Sequence, residues 1–338
     1  MSEAKRQNYQ KLHYQALVAD MHCDSILRHI SGREDISKKT RGHLDIPKMV
    51  AGGIKAQVFA IFPDPNVIKP GEYERFVLNG VKTIKEICKR NQDRVGLALS
   101  PAGLKRIVDS GRIAVIIGVE GGHSLEGNLT RILHFWRAGV RVFTITWCNS
   151  NELADASWDR KKPNQGVSAL GRMAIRIMNR LGMIVDVSHS AESSFYQIIE
   201  QSRAPVIASH SGVYALRPHN RNLKIEQLRA LKEKGGVMGQ VFLPAFLNSD
   251  PKRASVADVV RAIDYVVQRF GPDCVGLGSD FDGFSSRLRG LEDVTRLPEI
   301  TRRLFQTGYT ESDIKKILGL NFLQVWERIW MLRLNKIN

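Results

Sequence analysis

Three apolar segments of this 338-residue chain lead directly into residues that can bind a metal ion. The segments are residues 18–24, 185–189 and 206–210. An apolar run buries a strand, and a His or Asp that follows it places a lone pair at the strand's C-terminal end. When parallel strands end at one face, as in an α/β barrel, such side chains converge. The spacing therefore predicts a metal site that is assembled from strand ends.

Six acidic and imidazole side chains follow predicted strands in this way. They are His22, Asp24, Glu120, His189, His210 and Asp280. A lone His or Asp at such a position is more often structural, for example as a helix N-cap, so the prediction depends on the whole set. Imidazole and carboxylate suit zinc or a similar divalent cation. Because six donors exceed the need of one tetrahedral site, we expect two ions, with Glu120 as the bridging carboxylate.

The elements that must position these residues can be predicted from hydropathy. Eight apolar, β-rich segments alternate with amphipathic ones and predict strands at residues 16–22, 54–62, 113–120, 140–147, 183–189, 205–210, 236–242 and 274–280. Helical patterns lie between them at residues 75–90, 129–138, 168–181, 225–234 and 255–270. This alternation implies an α/β fold with parallel pairing, and eight strands close a (β/α)8 TIM-type barrel. The metal site is expected at the C-terminal face of the strands.

We predict a single barrel domain over residues 1–338, with a polar N-terminal extension at residues 1–15. A C-terminal helix at about 311–331 carries an apolar stripe that is expected to pack on the barrel. No apolar run of about 18 residues predicts a transmembrane span, and residues 1–15 lack the apolar core of a signal peptide. The sequence therefore predicts a cytoplasmic protein with no membrane anchor. The four cysteines have wide, irregular spacings, which favour reduced, buried thiols.

The net charge of +16 leaves open a different class, a basic binding protein on a degenerate barrel. However, the basic residues are spread along predicted helices, and the densest cluster is only Arg160, Lys161 and Lys162. No basic stripe interleaved with aromatic residues accompanies them. Solvated helix faces are the better interpretation, and no specific nucleic-acid partner is expected.

The motifs around the candidate ligands resemble those of the renal (membrane) dipeptidase family. These are zinc peptidases with an amidohydrolase-type barrel. The resemblance is carried by residues 22–24 (HCD), 118–124 (GVEGGHS), 186–189 (DVSH), 209–211 (SHS) and 276–283 (GLGSDFDG). It extends through residues 42–47, 220–223 and 290–294, and it covers the chain from about Asp20 to Glu327.

The resemblance implies a role for each residue. Two zinc ions per subunit would be held by His22 and Asp24, by His189 and His210, and by Glu120, which is shared. A hydroxide that bridges the ions would be the nucleophile, and Asp280 would be general base and then general acid. Arg221 would receive the substrate's C-terminal carboxylate, with Asn222 beside it. The implied activity is hydrolysis of the amide bond of dipeptides, and the resemblance also favours a homodimer.

One residue departs from the family pattern. The mammalian renal enzyme has a histidine after the fourth strand, where it is thought to contact the reacting carbonyl group. Trp147 stands at that position here, and an indole can neither accept a proton nor carry a charge. Trp147 is therefore expected to line the substrate site. The change leaves open a specialised amidohydrolase or a biosynthetic tailoring enzyme with little ordinary dipeptidase activity.

Overall fold

The computed structural model describes residues 3–333, in which eight parallel strands form a closed barrel. The strands are β1 (Val18–Cys23), β2 (Ile54–Ile61), β3 (Ile113–Glu120), β4 (Val140–Thr144), β5 (Ile184–Asp186), β6 (Ile207–Val213), β7 (Val237–Gln240) and β8 (Val275–Leu277). Each strand pairs with the next in the chain, and β8 pairs with β1. The predicted (β/α)8 fold is thus confirmed.

Helices separate the strands and cover the barrel. They span Glu3–Gln15, Ser25–Ile30, Ile46–Ala51, Tyr73–Arg90, Pro101–Asp109, Thr130–Ala138, Ala169–Leu181, Glu192–Gln201, Ile225–Glu233, Pro244–Leu247, Val256–Phe270, Pro298–Gln306, Glu311–Lys315 and Asn321–Leu332. The five predicted helices are present, with ends within two residues of the prediction. Two short strands that the sequence does not predict, Val95–Leu97 and Asn222–Leu223, pair with β3 and β6.

Strand β3 shows how the barrel aims its polar residues. Ile113, Val115 and Ile117 join the apolar cluster that the surrounding helices complete, whereas Ala114 and Ile116 join a second cluster inside the strands. Successive side chains of a strand point to opposite faces. Glu120 follows Ala114 and Ile116 by an even number of residues, so its side chain also points into the barrel.

Strands β4 and β5 end three residues earlier than the sequence predicts. Glu120 lies opposite Thr144, and Thr144 lies opposite Asp186, so these three residues form one layer. Beyond that layer, the Asp186 carboxylate accepts a hydrogen bond from the Ser188 backbone, and His189 has a left-handed backbone (φ 68°). These local bonds turn the chain out of the sheet, although the apolar pattern continues.

The C-terminal segment packs against the N-terminal ends of the strands, and Trp326 is fully buried there. The predicted continuous helix at 311–331 is interrupted by a π-helical turn, Lys316–Leu320. Gly319 lies so close to β1 that a Cβ atom would be 2.2 Å from the Leu17 carbonyl oxygen. The absence of a side chain at Gly319, whose backbone is non-helical, permits this close approach.

Residues 3–15 of the predicted N-terminal extension form a helix, in which Tyr9, Leu12 and His13 are buried. His13 hydrogen-bonds Thr301 Oγ1 and the Gly52 carbonyl oxygen. Within residues 3–333, no helix has the length and apolarity needed to cross a membrane.

Candidate metal centre

All six candidate residues lie at the C-terminal face of the barrel. His22, Glu120 and His210 belong to strands β1, β3 and β6, while Asp24, His189 and Asp280 follow β1, β5 and β8 by one to three residues. The first five are buried, and Asp280 is partly accessible. The structure therefore brings together side chains that are up to 258 positions apart in the sequence.

Glu120 lies in the middle of this cluster. Its Oε2 atom is 3.7 Å from His22 Nε2, while its Oε1 atom is 2.9 Å from His189 Nε2 and 3.4 Å from His210 Nε2. His22 Nε2 is also 3.9 Å from Asp24 Oδ2. The two oxygen atoms of one carboxylate thus face two different sets of donors.

Asp24 and Asp280 face each other on one side of the cluster. Gly283 makes room for this pair, because a Cβ atom there would lie 2.3 Å from Asp280 Oδ1 and 2.5 Å from Asp24 Oδ2. Two carboxyl groups this close cannot both be ionised at low cost without a cation.

Burial shifts the pKa values of the cluster in directions that suit a cation site. Burial, reinforced by the neighbouring carboxylates, raises the pKa of Asp24 and Glu120 well above the ordinary range, and burial raises that of Asp280 to about 7. Burial likewise lowers the pKa of His189 and His210 well below the usual value and that of His22 to about 4. A neutral imidazole has a nitrogen lone pair that can bind a metal ion, and a divalent cation would favour the ionised form of the carboxyl groups.

The residues present fit such a cation. Donor atoms of His22, Asp24 and Glu120 lie within 4.8 Å of one another, and so do those of Glu120, His189 and His210. His22 Nε2 and Asp24 Oδ1 are buried without a hydrogen-bond partner. Buried polar atoms rarely stay unpaired, so both atoms are free to bind an ion.

Asp186 also lies near two histidines, yet its carboxylate is already saturated. It accepts hydrogen bonds from the backbone of Ser188 and Ser209 and from the hydroxyl groups of Thr144 and Ser209. Ser209 Oγ, 2.6 Å from Asp186 Oδ2, in turn accepts a bond from His210 Nδ1 at 2.8 Å. The proton of His210 is thereby held on Nδ1, and Nε2 keeps its lone pair toward Glu120.

Asp20 has the same arrangement across the barrel. It accepts hydrogen bonds from the backbone and hydroxyl group of Ser279 and from the Gln57 amide. Ser279, however, makes no hydrogen bond to an imidazole ring. Sequence reasoning misses both aspartates. The sequence does contain a signal for them. Each Asp lies on a strand that leads to a candidate ligand, and the Ser that it binds directly precedes His210 or Asp280.

Arg221, a predicted substrate-binding residue, is 3% exposed. Its Nη2 donates to the His210 carbonyl oxygen at 3.1 Å, while Nε is buried without a partner. Among the ion pairs of the described residues, none involves Arg221. The Asn222 amide, predicted beside it, donates to the Arg217 and Phe246 carbonyl oxygens, so it also holds the loop.

Trp147 lies in the loop after β4. Its ring centroid is 4.5 Å from that of Phe62 and 6.5 Å from that of His189. The half-buried indole therefore forms part of the wall beside the cluster. No proton-carrying group is supplied from this position.

Comparison with known proteins agrees with this geometry. The sequence matches the family model described as membrane dipeptidase (peptidase family M19) over residues 6–336. Dipeptidase tcpJ of Claviceps purpurea is 34% identical over 311 residues, which are 89% of this chain and 72% of the relative. Dipeptidase aclJ of Aspergillus oryzae is 34% identical over 292 residues, which are 84% of this chain and 69% of the relative.

Solved structures show the same relationship. The probable dipeptidase PvdM from Pseudomonas aeruginosa superposes with a TM-score of 0.91 at 26% identity, covering 98% of this chain and all of the other. A metallopeptidase from Rhodobacter sphaeroides was solved with a phosphinate mimic of the dipeptide L-Ala-D-Ala. It has a TM-score of 0.85 at 26% identity, covering 93% of this chain and 99% of the other. The chain belongs to the membrane dipeptidase family, a family of metallopeptidases.

Proposed function

We propose that the chain is a zinc-dependent dipeptidase that binds two ions and hydrolyses the amide bond of dipeptides with a free C-terminal carboxylate. His22 and Asp24 would hold one ion, His189 and His210 the other, and Glu120 would contact both. Three imidazoles and two carboxylates favour zinc among the common divalent cations. When bound, such ions supply Lewis acidity to the reacting carbonyl group and a hydroxide nucleophile near neutral pH.

The position of Glu120 is the observation that carries this proposal. Its Oε2 atom faces His22, and its Oε1 atom faces His189 and His210. A carboxylate that served one ion would have no reason to contact donors on both sides.

Arg221 would bind the substrate. Its buried guanidinium has an unpartnered Nε and no carboxylate partner among the described residues. A carboxylate that accepted two of its hydrogens would compensate this buried charge. Binding the C-terminus here would place the adjoining amide bond beside the cluster, because Arg221 contacts the carbonyl oxygen of His210.

Asp280 would move the protons. Its carboxylate would take a proton from the attacking water and pass it to the leaving amine. Burial raises its pKa to about 7, which suits a group that must accept and release a proton near neutrality.

A panel of simple dipeptides, with alanine and glycine in either position, tests the proposal. The zinc-loaded full chain is expected to hydrolyse some of them, and chelation of the metal is expected to abolish the activity. A zinc-loaded protein that cleaves none of the panel would contradict the dipeptidase proposal.

Trp147 supports a second candidate, a specialised amidohydrolase or tailoring enzyme of the same family. Its indole lines the wall beside His189 at a position where the renal enzyme has a histidine. The two candidates differ in the behaviour of Trp147→His. If the variant gained ordinary dipeptidase activity that the parent lacked, the specialised enzyme would be supported. If the parent were already active, it would be excluded.

A cytoplasmic location and a homodimer are part of the same proposal and stay predictions. Fractionation and the mass of the purified protein in solution test them.

A further inference from the structure

A cavity of about 440 Å³ opens beside the metal centre. His189 and Arg221 line its inner end, and Tyr214, Lys162 and Lys224 line it farther out. Its volume lies within the range of small-molecule sites. A simple dipeptide such as Ala-Ala, bound at the cluster with its carboxylate on Arg221, would have no side chain long enough to use this space.

Residues that line the cavity also carry buried polar atoms without partners. Ser157 Oγ, Ser211 Oγ, His189 Nδ1 and Arg221 Nε belong to lining residues and are buried without a hydrogen bond. All four groups are or can be hydrogen-bond donors, since an imidazole that presents Nε2 to the metal centre carries its proton on Nδ1. Because these atoms are closed off from the cavity, its preference for a ligand follows from the charge of the wall.

The charge of the wall favours an anionic ligand. Three of its side chains are cationic, namely Lys162, Arg221 and Lys224, and one is a carboxylate, Glu192. Glu192 is already neutralised by Lys224, at 2.6 Å. Lys162 donates to the carbonyl oxygens of Ala156 and Asp159 and has no ion pair within the described residues. His219 adds no negative charge. The wall is therefore net positive.

We propose that this cavity is a subsite for an anionic side chain, so that the preferred dipeptides end in glutamate or aspartate. This inference rests on the proposed dipeptidase function. Arg221 would bind the α-carboxylate, and the side chain of the same C-terminal residue would extend from there toward Lys162 and Lys224. The second carboxylate would lower the net positive charge of the wall.

Steady-state kinetics of the zinc-loaded full chain with Ala-Glu, Ala-Gln and Ala-Ala test the proposal. Glutamine has nearly the shape of glutamate without its charge, so the comparison isolates the carboxylate. We expect kcat/KM for Ala-Glu to exceed that for Ala-Gln at least tenfold. The ratio is expected to decrease as salt is added, because the lysines are partly exposed.

A double variant, Lys162→Gln with Lys224→Gln, is expected to reduce this ratio to near one. The matched control is Lys232→Gln, an exposed lysine on the helix that Lys224 precedes, which is expected to keep the ratio of the parent. Equal kcat/KM for Ala-Glu and Ala-Gln in the parent overturns the subsite while leaving the dipeptidase function in place. A ratio that survives in the double variant also overturns it. If the parent hydrolyses none of the three peptides, the proposed function and the subsite are both overturned.

Discussion

His189 and Asp280 reach the metal centre from left-handed backbone conformations, with φ of 68° and 60°. A residue with a Cβ atom in this region costs on the order of 1 kcal/mol and persists only where its surroundings hold it. Here the His189 carbonyl oxygen accepts a bond from the Ser157 backbone at 2.7 Å, and the Asp280 N–H donates to the His22 carbonyl oxygen at 3.0 Å. Both strained residues lie where strands β5 and β8 give way to loops, and the strain aims their side chains at the cluster.

The role of Asp280 can be tested by Asp280→Asn, which keeps the shape and removes the proton acceptor. We expect kcat to fall by roughly 10²–10⁴, the usual contribution of a general acid–base group. The metal content is expected to stay unchanged, because Asp280 is outside the two donor sets. Kinetics and metal analysis on the same preparation provide both values. A loss of metal in parallel with activity would make Asp280 a ligand and contradict its assignment as the proton carrier.

The link from Asp186 through Ser209 to His210 predicts a difference between two serines. Ser209→Ala removes the group that holds the His210 proton on Nδ1, so we expect zinc affinity to fall about 10- to 100-fold. Ser279→Ala removes the same type of Ser–Asp bond on the other side of the barrel, where no imidazole is attached. It is the matched control and is expected to change zinc affinity much less.

Competition with a chromogenic chelator measures the affinity of both serine variants, and the nitrogen chemical shifts of His210 report its tautomer. If the two variants lost affinity equally, the bonds would be structural only, and the orienting role of Ser209 would be refuted.

The sequence predicts the barrel strands because each is an apolar, β-rich run, and five of the eight lead to a candidate ligand. The ends of β4 and β5 are missed because hydrogen bonds of Asp186, and not hydropathy, turn the chain there. Strand Val95–Leu97 has three residues, too few for a periodic pattern, and its pairing is decided by β3. The close approach of Gly319 to Leu17 joins residues about 300 positions apart, which no local pattern can indicate.

Contacts between distant residues also limit what the sequence predicts about the candidate site. The candidate ligands are predictable because each lies at or just after the end of a predicted strand. Asp20 and Asp186 are not, because their partners Ser279 and Ser209 lie 259 and 23 positions away. The sequence predicts which groups can bind a metal, while the contacts that orient them depend on the closed barrel.

The N-terminal helix provides a prediction about pH. Burial lowers the pKa of His13 from 6.5 to about 4, so folded His13 stays neutral while the unfolded residue takes up a proton below about 6.5. The stability that neutral His13 contributes is therefore full above pH 6.5. It is lost as the pH falls toward 4, at up to about 1.4 kcal/mol per pH unit.

Denaturant unfolding between pH 7.5 and 4.5 measures this loss. His13→Gln cannot titrate but can still hydrogen-bond the Gly52 carbonyl oxygen, so its free energy of unfolding is expected to fall less steeply with acid. Parallel pH profiles for the parent and His13→Gln would show that His13 does not contribute in this way.

The net charge of +16 is a property of the whole chain, and the cavity beside the candidate metal centre is likewise lined by more cationic than anionic side chains. A positive surface potential attracts anionic ligands over several ångströms, and added salt screens this attraction. Inside the barrel, by contrast, several carboxyl groups are buried together, and a bound cation would favour their ionised forms. The basic surface and the acidic centre are therefore both consistent with the proposed binding of an anionic substrate beside metal ions.

The proposed function requires that one buried cluster bind two divalent cations through Glu120. Elemental analysis of the zinc-loaded, desalted full chain, with Glu120→Gln in parallel, measures the number of bound ions. We expect two zinc ions per chain in the parent and fewer than one in the variant, because both ions lose a shared ligand. A parent chain that retains fewer than two zinc ions, or a variant that still retains two, would contradict the two-ion site.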